Sequence, residues 1–121
     1  MTSLGILLDE HIPHLIKVLL QKANPELRVY LVGDGVAPPK STPDDDLLIW
    51  IEANNCILLT NNRKTMPVHL PAHLAQHRHV PGIVQMPKRF NAEAVIDDIL
   101  LIVGARLLGE FDDQIVYLPL G

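Results

Sequence analysis

The 121-residue sequence predicts a three-layer α/β domain, with a mostly parallel central sheet and helices on both faces. Two observations carry that expectation. Short apolar runs without polar alternation recur along the chain, as in strands buried on both faces. Between them lie longer segments whose apolar residues recur at helical spacing. The length suits one domain, residues 1–121, since domains run to roughly 100–150 residues.

The elements follow in order. Residues 4–8 are an apolar run that stops abruptly at Asp9-Glu10, a buried first strand. Residues 12–23 read as a helix, with Ile12, Leu15, Ile16, Leu19 and Leu20 inward and Pro13 in the first turn. Asn24-Pro25 closes it. Residues 28–32 form a second strand, stopped by Gly33-Asp34-Gly35. After a Pro-rich loop, Thr42 is the expected N-cap of a helix to about Ala53, Pro43 its first residue, and Asp44, Asp45 and Asp46 fill its first turn. Leu47, Leu48 and Ile51 face the core, and Asn54-Asn55 ends the helix. Residues 56–59 are a third strand. A short helix is expected near residues 72–76, and a fourth strand over 82–86. Asn91 caps a long helix to Leu108, with Ala94, Val95, Ile99, Ile102 and Val103 inward and Gly109 as its stop. Residues 115–118 add a last strand.

Composition bounds the function. Hydrophobic residues make up 48% and charged residues 20%, which excludes a disordered chain. No apolar run approaches the roughly 18 residues that span a bilayer, so no membrane association is expected. There is no leader pattern, and the lone Cys56 cannot form an internal disulfide. A cytoplasmic location follows as an expectation. Aromatic content of 4% argues against an extended base-stacking platform. The net charge of −4 is not that of a strong nucleic-acid binder, but its distribution is uneven. From Asn61 to Phe90 there is no Asp or Glu, while Arg63, Lys64, Arg78, Lys88, Arg89 and four histidines fall there. A basic face on an acidic protein suits a polyanion; an acidic partner or chance is the plainer explanation, over which charge alone gives nucleic acid a modest edge.

In parallel sheets, sites form beyond the C-terminal ends of the strands. Those ends carry Asp9-Glu10, Asp34 and Thr60-Asn61-Asn62, with Asp44, Asp45 and Asp46 opening the helix before the third strand. Converging carboxylates repel and need a compensating charge, which a hard divalent cation supplies. Bound there, Mg²⁺ or Mn²⁺ would activate water against a phosphodiester. Each acid has a plainer explanation: helix N-termini favour acids, and Asp34 between two glycines suits a turn. Asp9 has the weakest structural excuse. His69, His73, His77 and His79 suggest zinc, but Pro71 interrupts the helix that would align them and no cysteine is near. They read as surface histidines. Dinucleotide, P-loop and nucleophile-elbow motifs are missing, and a receiver domain would need an Asp where Thr60-Asn61-Asn62 stands.

Taken in order, Leu7-Leu8-Asp9-Glu10-His11, Ser41-Thr42-Pro43-Asp44-Asp45-Asp46, Ile57-Leu58-Leu59-Thr60, Thr65-Met66-Pro67, Pro81-Gly82-Ile83 and Tyr117-Leu118-Pro119-Leu120 resemble small bacterial PIN-like proteins over nearly the whole chain. That family is similar to the toxins of toxin–antitoxin pairs and to VapC-type ribonucleases. The resemblance implies a PIN-like fold and Mg²⁺- or Mn²⁺-dependent endonucleolytic cleavage of RNA. It further implies a co-encoded antitoxin as partner, and homodimerisation. Asp9 then matches the first acid of the metal site. Asp44 matches the acid at the helix start, a role open also to Asp45 or Asp46. The implied set is Asp9, Asp44 and Asn62 for catalysis, with Asp9, Asp44 and Asp46 as metal ligands. After the third strand the family shows Thr, any residue, Asp, any residue, Asp. Here those positions are Thr60, Asn62 and Lys64, so both acids are replaced. Fewer negative ligands weaken divalent binding. A non-catalytic module that binds RNA or protein is therefore the alternative, with Lys64 as a direct phosphate contact.

Overall fold

The computed structural model describes residues 4–62, 66–105 and 111–120. Five strands, β1 (Gly5–Leu8), β2 (Arg28–Leu31), β3 (Cys56–Thr60), β4 (Ile83–Gln85) and β5 (Ile115–Tyr117), alternate with helices α1 (His14–Ala23), α2 (Asp44–Asn54), α3 (Met66–Leu74) and α4 (Ala92–Ala105). The sheet order is β2-β1-β3-β4-β5, and every neighbouring pair is parallel. The expected α/β class is therefore observed.

Strand alternation divides the core into two layers. Ile6, Leu8, Ile57, Leu59 and Val84 pack with Ile16 and Leu20 of α1 and Val95, Ile99 and Ile102 of α4. Leu7, Leu58 and Ile83 point the other way, onto Leu47, Leu48 and Ile51 of α2 and Met66 and Leu70 of α3. Both sheet faces are thus covered, which is why the strands lack polar alternation. Each fully buried Leu or Ile stabilises the fold by about 1.5–3 kcal/mol. Gly5 leaves room between strands: a Cβ there would lie 3.0 Å from Cys56 Sγ and 3.1 Å from the Arg28 carbonyl oxygen. Burial pushes the Cys56 thiol up to about 11, against the opposing charge of Arg28, so it packs as an inert apolar group.

Several boundaries differ from expectation for local reasons. Pro13 and Pro43 are the N-caps themselves, with extended ψ of 137° and 149°, and neither makes a side-chain cap. Thr42 instead donates its hydroxyl to the Pro39 carbonyl. Ile12 is buried just ahead of α1, while Leu15 is 55% exposed. In α4, Asn91 caps as expected by accepting the Ala94 N–H at 3.1 Å. Ala94 faces solvent, however, and Ile96 takes the inward place. The expected end of that helix at Leu108 and its stop at Gly109 lie outside the described residues. The largest difference is α3, which runs Met66–Leu74 through Pro71. An interior proline costs roughly 3 kcal/mol. Burial of Met66, Leu70 and His73, at four- and three-residue spacing, offsets it. Asn55 ends α2 in the left-handed conformation at φ 54°.

Candidate functional site

The strand order reverses at β1: the chain runs outward to β2, then crosses back to β3 on the other side. Such a switch point leaves a crevice beyond the strand ends, here between β1 and β3. Asp9 follows β1 directly and is 8% exposed. Its Oδ1 accepts the Glu10 N–H at 2.8 Å, and its Oδ2 accepts the Thr60 hydroxyl at 2.9 Å. Thr60 Oγ1 in turn accepts the Asn62 N–H at 3.0 Å, and Asn62 Nδ2 donates to Asp44 Oδ2 at 3.1 Å. Asp9, Thr60, Asn62 and Asp44 therefore form one continuous hydrogen-bonded chain across the crevice. Its ends are set by the end of β1 and the first residue of α2.

Neighbouring contacts fix the same rim. Glu10 Oε1 accepts the Ser41 N–H at 2.9 Å, joining the β1 exit to the loop before α2. His69 of α3 lies 3.7 Å from Asp44 Oδ2 and 2.5 Å from Asp45 Oδ1. Asp46 and Asp34 are exposed and take no part in the chain. Lys64 lies outside the described residues. The structure thus brings together Asp9, Asp44 and Asn62 of the expected set and leaves Asp46 apart. The placement has a helical cause: consecutive residues point about 100° apart, so Asp44 meets Asn62, Asp45 meets His69 and Asp46 is exposed.

Two contributors escape sequence reasoning. His69 reads in sequence as one of four surface histidines, yet it ties α3 to the start of α2. Gln85 lies in register with Thr60 on the adjacent strand, so both side chains share the face toward α2 and α3. It is 1% exposed, and neither its Nε2 nor its Oε1 has a hydrogen-bond partner among the described residues. A single polar residue inside a buried strand gives no periodic signal.

The remaining histidines are fasteners rather than a metal cluster. His73 is 5% exposed and its Nε2 lies 2.9 Å from Glu52 Oε1 of α2. His79 Nδ1 lies 2.8 Å from Asp113 Oδ2, while Asp113 Oδ1 accepts the Val80 N–H at 2.8 Å. The hydrogen bond to Asp113, then its charge, raises the His79 pKa above the ordinary 6.5. The protonated form is thus favoured by folding. That contribution is fully present below 6.5 and is lost as pH rises through the folded-state value. Thermal melts of native protein and His79→Gln are expected to differ most below pH 6.5 and to converge as pH rises through the raised folded-state value.

A divalent cation does not fit the residues present. Among the described residues, no three His, Cys, Asp or Glu side chains are grouped so as to hold a metal ion. Asp9 and Asp44 are joined through hydroxyl and amide donors, and a donated N–H takes up a carboxylate lone pair that a cation would need. Gln85 offers a neutral oxygen on the same face, but hard-cation affinity follows ligand charge, and one amide does not replace two carboxylates.

Fold and crevice together define a doubly wound parallel α/β domain with an acid–hydroxyl–amide–acid chain at its switch point. Comparison with known proteins gave no matching family model, no matching curated protein and no matching solved structure. Among the described residues, no helix is long and apolar enough to cross a membrane.

Proposed function

We propose that this protein is a PIN-like, nuclease-fold module that binds single-stranded RNA without metal-dependent hydrolysis, a degenerate relative of toxin-type ribonucleases. The hydrogen-bonded chain from Asp9 to Asp44 carries the proposal. In a metal-dependent nuclease those carboxylates face a shared cation. Here Asn62 donates an amide proton into that place, and Lys64 adds a positive charge two residues further along the sequence.

RNA is favoured as the ligand by how charge is divided along the rim. The β1 exit carries Asp9 and Glu10, the β2 exit Asp34, and the start of α2 Asp44 to Asp46, with Asp44 held on Asn62 beyond β3. The exit of β4 carries Lys88 and Arg89, both exposed, with no acid in ion-pair distance among the described residues. A polyanion is steered to the basic half and repelled from the acidic half. Titration of a labelled single-stranded RNA in chelating buffer tests this. Binding is expected to survive EDTA, to weaken steeply with salt, and to be unchanged or tightened by Asp44→Asn. Binding that requires Mn²⁺, and that Asp44→Asn abolishes, would restore the metal-dependent endoribonuclease.

A further inference from the structure

Resting on the RNA-binding proposal, we infer that the groove between the β4–α4 loop and the segment after β5 seats one base of the bound strand. Phe90 is its stacking wall, and Arg89 and Lys88 meet the flanking phosphates. The groove encloses about 230 Å³ between Pro87, Arg89, Phe90 and Asn91 on one side and Val95 and Leu118 on the other. That is smaller than the roughly 300–1,000 Å³ pockets that take drug-sized ligands, and it suits a single planar group. Phe90 is a large apolar side chain left 40% exposed where it lines the groove. One stacked base needs one ring, which the low aromatic content does not contradict.

Charge identifies the occupant as anionic at its edges. Lys88 and Arg89 immediately precede Phe90 in sequence, are exposed, and have no acidic partner among the described residues. Asp98 also lines the groove, its Oδ2 accepting the Leu120 N–H at 3.1 Å, so the phosphates lie on the Lys88–Arg89 side and the base on the Asp98 side. The groove opens at the C-terminal end of β4, two strand positions from Asp9. At about 4.8 Å per strand this is roughly 10 Å along the rim. A strand seated here follows the basic half of the rim, with Asp98 the acid that lines the groove.

The test is fluorescence anisotropy of a labelled oligouridylate with native protein, Phe90→Ala, Phe90→Trp and Arg89→Gln, over a range of salt in EDTA. Phe90→Ala is expected to lose affinity roughly 10-fold, the size of one base–aromatic stack, and Phe90→Trp to retain it. Arg89→Gln is expected to lower the slope of log affinity against log salt by about 0.7, one single-strand phosphate contact. Lys22→Gln, on the far end of α1, serves as the neutral control. If native protein binds no RNA, the proposed function itself fails. If native protein binds and neither Phe90→Ala nor Arg89→Gln changes affinity or slope, the groove is not the base seat. It would then be left to a protein partner.

Discussion

Mn²⁺-dependent cleavage of single-stranded RNA is expected from an Asn62→Asp, Lys64→Asp double variant and not from the native protein. The argument is one of charge. Native Asn62 joins Thr60 and Asp44 by hydrogen bonds, and its side chain donates to a carboxylate rather than presenting one. Replacing it by Asp removes that donor and sets two carboxylates against each other at the same distance. Such a pair is tolerated only with a compensating cation. Lys64→Asp removes a positive charge and adds a negative one. Together the changes recreate the acid pattern that the resemblance implies. A bound cation would then polarise phosphate and water, chemistry worth several kcal/mol of barrier. A gain of roughly 100-fold in cleavage corresponds to about 2.7 kcal/mol. Adding Asp9→Ala to the double variant should remove the gain. Cleavage by native protein that depends on Asp9 would show that the two replacements are tolerated and that the enzyme works as it stands.

Gln85→Met should raise stability by about 1–3 kcal/mol. The native amide is buried with both polar atoms unpaired, and such groups cost about that much when nothing replaces their water. Methionine has a similar shape, no polar atoms at its end, and enough flexibility to fill the space. For a domain of this length each kcal/mol moves the melting temperature by roughly 3–6 °C, so calorimetry or a thermal melt resolves the change. A drop in melting temperature would mean that the amide has a partner in solution, a buried water or a bound group, on the face shared with Thr60. RNA affinity measured on the same variant separates the cases: a stabilised variant that binds normally marks Gln85 as a relic of the cleft.

How far the sequence foretold this arrangement differs from element to element. The parallel sheet was legible because strands buried on both faces leave apolar runs with sharp polar ends, as in Cys56–Thr60. Asp9 and Asp44 were legible because a carboxylate at a strand exit or a helix start is conspicuous and its position is fixed by the backbone. Asp44 joins the chain while Asp46 is exposed because the rotation of α2 about its axis, which composition does not encode, decides which of three adjacent residues meets Asn62. Helix α3 was shortened because Pro71 weighs heavily in local reasoning, while the tertiary burial of Met66, Leu70 and His73 decides the outcome. The histidines look alike in sequence, yet three of the four meet different acids: His69 at Asp44 and Asp45, His73 at Glu52, His79 at Asp113. Those partners lie 24, 21 and 34 residues away in sequence for the Asp45, Glu52 and Asp113 contacts, beyond any local pattern.

The same distance explains why the central feature was hidden. Thr60 donates to Asp9 across 51 residues, and Asn62 reaches Asp44 across 18. Only the return of β3 to the side of β1 brings these groups into one chain. Sequence reasoning saw Asn62 as a lost acid. The fold gives it a second role, as a hydrogen-bond donor to Asp44.

The most direct test is the affinity of native protein for a single-stranded RNA, measured twice at low salt, once with EDTA and once with Mn²⁺, with the RNA analysed for cleavage afterwards. Equal affinity in both buffers and intact RNA are the expected result. Affinity that appears only with Mn²⁺, accompanied by cleaved RNA that Asp9→Ala leaves whole, would contradict it.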